Sequence, residues 1–183
     1  EWTPQPEANF VDTNVNAKLR QMSILPSEVC SDEVFVRRVS LDLTGLLPTV
    51  ETTRVFLADD SKTKRAELID RLLASEEHGR YWAQKQADLM RVNAKLLPDG
   101  RADLLGSWIV DAFRDNKPYD QFAREVITAR GDTMQTAPAN FFFAIENTND
   151  VTETTSQVFM GSRINCAKCH NHPFENWTQE DYY

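Results

Sequence analysis

Cysteine is scarce in this chain: three in 183 residues. A chain of this length buries a core without disulfide staples, so the shortage excludes a disulfide scaffold. Only six glycines occur, and there is no β-hairpin pattern, internal repeat or low-complexity tract. Long apolar runs are absent, which excludes a membrane-spanning helix in this segment, and no signal peptide is visible. Positive charge is short, with 20 Lys and Arg against 28 Asp and Glu, a formal charge of −8. That balance argues against holding nucleic acid or an anionic membrane through bulk charge. A basic patch on a protein partner is its electrostatic complement. The chain opens Glu1-Trp2-Thr3-Pro4 and stops at Asp181-Tyr182-Tyr183; both ends read as cuts in a longer parent chain.

What is there is helical pattern. Residues 1–9, with two prolines, read as an extended lead-in to one domain over 10–183. Phe10, Val11, Val15 and Leu19 recur at helical spacing. Ser31-Asp32-Glu33 offers a capping hydroxyl and first-turn acids to a helix that stops at Gly45. Thr49 opens a short helix. Ala66, Ile69, Leu72 and Leu73 share one face of a segment read as continuous from Ser61 to His78, with a break at Glu77-His78-Gly79. A further helix carries Trp82, Ala83, Leu89 and Met90, and Pro98-Asp99-Gly100 is a strong turn signal. Leu104, Leu105, Trp108, Ile109, Ala112 and Phe113 mark a core-facing helix, and Pro118 starts the next. Residues 141–145, Phe-Phe-Phe-Ala-Ile, fit either a strand or a buried helix. Asp150 to Glu153 resembles a capping box opening a helix to Ile164, and Thr178 begins a last one. The expectation is an all-α, compact domain of about eight helices.

The chemistry concentrates where two of the three cysteines lie: Cys166-Ala167-Lys168-Cys169-His170, then Asn171-His172-Pro173-Phe174. C-x-x-C-H is the attachment motif of c-type haem. Two thiols at that spacing reach the two vinyl groups of one porphyrin, and the adjoining histidine becomes the proximal iron ligand. Other readings stand beside it. Two thiolates and two imidazoles form a zinc ligand set, although zinc fingers place their histidines on a separate helix. A thioredoxin-type dithiol wants a strand before its C-x-x-C and a helix after it. An ordinary disulfide is the plainest alternative.

On the haem reading, Cys166, Cys169 and His170 hold the cofactor, one haem c enclosed by the domain. His172 is too close to His170 to cross to the opposite face of the ring; it packs beside the haem, bonds a propionate or a carbonyl, or fixes the turn before Pro173. Phe159, Phe174, Trp177 and the run at 141–143 are candidate pocket walls, and Arg163 a candidate propionate partner. Candidates for the distal ligand are Met160, His78, Met134, Met90 and Met22. Cys30, just ahead of Ser31, reads as a small half-buried hydrophobe.

Two long segments now carry a resemblance. One runs from Phe35 to Thr49 (FVRRVSLDLTGLLPT), with LIDRLLAS at 68–75 downstream; the other from Cys166 to Tyr183 (CAKCHNHPFENWTQEDYY). Together they resemble the planctomycete-type cytochrome c domain PSCyt2, a domain of unknown function also called DUF1549, over about Phe10 to the end. The resemblance implies a bacterial protein exported to the periplasm or otherwise outside the cytoplasm, where covalent haem attachment takes place. It also implies a further C-terminal domain in the parent chain. One departure stands out. The family pattern W-A-x-H-W-x-D reads here Trp82-Ala83-Gln84-Lys85-Gln86-Ala87-Asp88. Lys85 occupies the histidine position and joins the candidates for the distal side. The resulting expectation is a one-electron carrier serving a redox partner protein or a C-terminal domain of the same chain. A haem enzyme or a gas or redox sensor with an open or weak sixth site is the alternative, and a structural zinc domain the second.

Overall fold

The computed structural model describes residues 2, 3, 5–145 and 147–183. Among them lie ten α-helices and no strand: α1 (Phe10–Gln21), α2 (Asp32–Thr44), α3 (Val50–Ala58), α4 (Lys64–Leu73), α5 (Glu76–Leu89), α6 (Arg101–Arg114), α7 (Tyr119–Ile127), α8 (Asn140–Phe143), α9 (Thr148–Thr155) and α10 (Gln179–Tyr182). None is long and apolar enough to cross a membrane. The all-α expectation holds, with ten helices rather than about eight.

The helix boundaries have local causes. The break expected at Glu77-His78-Gly79 falls earlier, at Ala74-Ser75, because the Ser75 side chain accepts the His78 N–H and starts α5 at Glu76. Gly79 therefore does not break a helix. It lies buried inside α5, where an added Cβ would sit 3.1 Å from the Arg114 Cα. The glycine lets the start of α5 approach the end of α6, so the two run antiparallel. The 141–145 run resolves as the short α8, with Phe141 fully buried. Gly45 does end α2, at φ +70°, and a Cβ there would lie 2.4 Å from the Tyr81 ring.

Among the described residues three apolar clusters organise the chain. The largest joins α5 to α8 and includes Met90, Leu97, Leu105, Ile109, Phe122, Val126 and Phe141. A smaller one, Val36, Phe56 and Leu68, ties α2, α3 and α4. Beside it Asp32 receives Lys64 Nζ at 2.6 Å and both Nε and Nη2 of Arg65, which hold its carboxyl below the usual range, the Lys64 bond first. The third cluster, Ile164, Ala167 and Tyr182, lies at the C-terminal end. The α1 helix has the expected spacing, yet Phe10, Val11 and Val15 are all exposed. Its contacts are polar: buried Asn16 donates to the Gln5 carbonyl and to Glu7, so the lead-in folds back against α1.

Candidate functional site

The chain does not run straight from a helix into Cys166. The N-cap of α9 is Asn147, which accepts the Asp150 N–H, rather than Asp150 itself. After Thr155 the helix widens into a π turn over Ser156–Met160 and ends at Gly161, in the left-handed region at φ +64°. The Ser156 hydroxyl donates to the Ser162 carbonyl at 3.0 Å and pins the exit. The expected continuation to Ile164 fails because the looser turn and the glycine turn the backbone away. π turns inserted in helices occur often at functional sites.

Cys166 then lies within a 3₁₀ turn, Asn165–Lys168, with Cys169 as its C-cap. In 3₁₀ geometry side chains three apart eclipse, so the turn sets the two cysteines on one side. Both thiols are free and exposed. Between them Ala167 is fully buried against Ile164 and Tyr182. The alanine anchors the back of the turn while the thiols face out.

The two histidines have opposite tautomers. His170 Nδ1 lies 2.8 Å from the Asn171 carbonyl. A carbonyl only accepts, so Nδ1 carries the proton and Nε2 of the neutral ring is the bare nitrogen. His172 Nδ1 instead accepts backbone N–H groups from Phe174, at 3.3 Å, and Glu175, at 3.0 Å. Its proton is therefore on Nε2, which leaves no free lone pair on the neutral ring. Its own N–H donates to the Trp177 carbonyl at 2.8 Å. His170 thus presents a bare ring nitrogen with a carbonyl orienting the ring from behind, and His172 staples the turn around Pro173. Among the described residues no three His, Cys, Asp or Glu side chains gather as a metal cage.

Glu153 holds the loop from behind. Its carboxylate accepts Asn165 Nδ2 at 2.6 Å and the Tyr182 hydroxyl at 2.7 Å, and Lys168 Nζ stands 4.0 Å away. Burial, then the Glu153 bond and charge, pushes the Tyr182 hydroxyl strongly up from its ordinary value. From α10, Gln179 Nε2 donates to the Lys168 carbonyl at 3.1 Å, and its backbone N–H to the Asn171 amide oxygen. The capping box of Thr178 and Asp181 holds α10 in place. Sequence reasoning saw Glu153 only as a local capping acid. Its partners stand 12 and 29 residues away, and no local signal marks such a pairing.

The remaining candidates are spread out. Arg163 is exposed and lines a cavity of about 510 Å³ with Cys166, His172, Gln157 and Asn165. Trp177 is half-buried against the third cluster. Phe174 is 90% exposed, and Phe159 sits in the main core, 5.8 Å from the Phe141 ring. Phe141 is itself core, with Phe142 packed against it and Phe143 half exposed beneath Arg101. Of the distal candidates, Met160, Met134 and Met22 are exposed and Met90 is wholly buried in the main core. His78 is half-buried, its Nδ1 on the Leu43 carbonyl at 2.8 Å. The Lys85 ammonium rests over the Tyr81 ring at 4.6 Å. Cys30 is half-buried, and its carbonyl accepts from Arg65.

Fold and loop together define an all-α domain that presents an exposed C-x-x-C-H turn on a small hydrogen-bonded platform. The chain belongs to the PSCyt2 family, described as protein of unknown function DUF1549, whose model matches residues 10–183. No curated protein and no solved structure matches it.

Proposed function

We propose that this domain is a c-type cytochrome module that carries one haem on Cys166, Cys169 and His170 and exchanges single electrons. The observation that carries the reading is the His170 hydrogen bond: Nδ1 held by the Asn171 carbonyl leaves Nε2 bare for iron. Two free thiols on one side of a 3₁₀ turn suit the paired thioethers. Zinc is favoured less, because it asks for four converging ligands and the His172 tautomer withdraws one of them. The group supplies the one-electron iron couple; the protein's part is ligation and tuning. His170 ligates, the Asn171 carbonyl raises its basicity, and Ala167 and Glu153 fix the turn. Arg163, which lines the cavity with Cys166, would pair with an acidic propionate. The same reading places the domain outside the cytoplasm. It also gives the domain a redox partner, either a separate protein or a domain of the same parent chain.

The test is expression alongside haem-attachment machinery, followed by intact-mass analysis and an oxidised and reduced optical spectrum. A mass increment of one haem, lost in the Cys166→Ser, Cys169→Ser double variant, is expected. His170→Ala should keep the covalent mass and change the spin state. A chain with no added mass and no Soret band overturns the proposal, and stoichiometric zinc would replace it. Tight carbon monoxide binding by the reduced form would move the role from electron carrier to sensor or enzyme.

A further inference from the structure

A second cavity lies at the junction of α5, α6 and α7, on residues that the C-x-x-C-H turn does not use. It measures about 480 Å³, within the roughly 300–1,000 Å³ of small-molecule sites. Its walls are aromatic: Trp82, Phe113, Tyr119 and Phe122. Phe122 is buried beneath Tyr119, the two rings nearly parallel at 15°, so the half-exposed Tyr119 ring offers a fixed face on which a flat guest can stack. Trp82 is 38% and Tyr119 49% exposed, which leaves the mouth open to solvent.

The polar side chains at this cavity are His78, Asn116, Lys117 and the Tyr119 hydroxyl. His78 lines it, with Nδ1 held by the Leu43 carbonyl at 2.8 Å. That bond fixes the proton on Nδ1 and leaves Nε2 of the neutral ring as an acceptor. Among the described residues no carboxylate lines the cavity. The one cation among its described lining residues, Lys117, pairs with Glu125 at 2.6 Å and rests over the Trp108 ring. An anionic guest therefore finds no unpaired positive charge there, and a cationic one no carboxylate. A neutral aromatic with a donor group matches the walls and the acceptor together.

We propose that this cavity binds a small uncharged phenol, its ring packed against the exposed Trp82 and Tyr119 rings and its hydroxyl donating to His78 Nε2. The balance of wall and acceptor predicts a guest chosen by its hydroxyl as well as by its ring.

The test titrates the isolated chain with 4-methylphenol and with 4-methylanisole, which has the same ring but no donor, using calorimetry and the ¹⁵N resonances of the three histidine rings. The phenol should saturate one site per chain and bind about tenfold more tightly than the ether, the worth of one net hydrogen bond. It should move the His78 Nε2 resonance while those of His170 and His172 stay in place. Trp82→Ala should weaken both probes. His78→Phe should erase the preference and keep ether binding. If that variant does not fold, the wild-type ¹⁵N shift decides alone. Equal affinities for the two probes, no saturation at millimolar concentration, or a shift confined to the other histidines overturns the proposal. None of these results depends on whether the C-x-x-C-H turn carries a cofactor.

Discussion

The body of the domain and its C-terminal loop are built on different forces. Between α5 and α8 the chain is held by close-packed apolar side chains, with Leu105, Ile109, Val126 and Phe141 wholly shielded from water. Around Cys166 only Ile164, Ala167 and Tyr182 are buried, and the rest of the loop hangs on hydrogen bonds to Glu153, Gln179 and Asn171. The difference follows from exposure. A turn that presents two thiols and a bare imidazole nitrogen to solvent cannot cover them with its own apolar side chains. It must be fixed from behind by directional bonds.

Loss of a core ring should give the largest effect. Phe141→Ala should cost about 3–5 kcal/mol of global stability, by transfer and cavity together, measured by urea unfolding followed by helical circular dichroism. Glu153→Ala should cost less, about 1–3 kcal/mol, because it removes the acceptor of the buried Tyr182 hydroxyl. The loss should appear in hydrogen exchange at 164–183 and leave α5 and α6 protected. Equal deprotection of both regions would erase the contrast between them.

The contrast can be sharpened with pH. The Tyr182 hydroxyl is raised in the fold, so its neutral form is the one the fold favours. Above the ordinary value of 10.0 the unfolded tyrosine ionises first, and that share of stability falls as pH rises. The loop should loosen from about pH 10 upward, and Tyr182→Phe should remove the dependence, as read by exchange or by fluorescence of Trp177. Asp32 works in the opposite sense. Its carboxyl is depressed by Lys64 and Arg65, so the contribution is present above the ordinary 3.8 and lost as pH falls through the depressed value. Asp32→Asn should flatten a small acid-side loss of stability, the weakest effect here because the group is solvated.

Helix identity was legible where local chemistry decides it. Gly45 as a left-handed stop, Thr49 as a cap and Pro98-Asp99-Gly100 as a turn all stand as read. Two failures share one cause. Gly79 looked like a breaker and is a contact; Asp150 looked like a cap and stands three residues inside one. In each case the sequence held two valid local solutions and the packing or a neighbouring side chain selected between them. The spacing of Phe10, Val11 and Val15 foretold α1 but not its exposure, since periodicity reports a face and not what covers it.

At the site itself, the sequence alone determined the family, the all-α class and the cluster of Cys166, Cys169 and His170, because these rest on residue type and short spacing. Tertiary structure decided the rest. It turned the chain at Gly161 before the motif, gave His170 a bare Nε2 and His172 a protonated one, and brought Glu153 and Tyr182 behind the turn. A tautomer is set by which neighbour accepts or donates, and a hydrogen bond across 29 residues by how the helices pack. Neither is written in the spacing of the residues that make it.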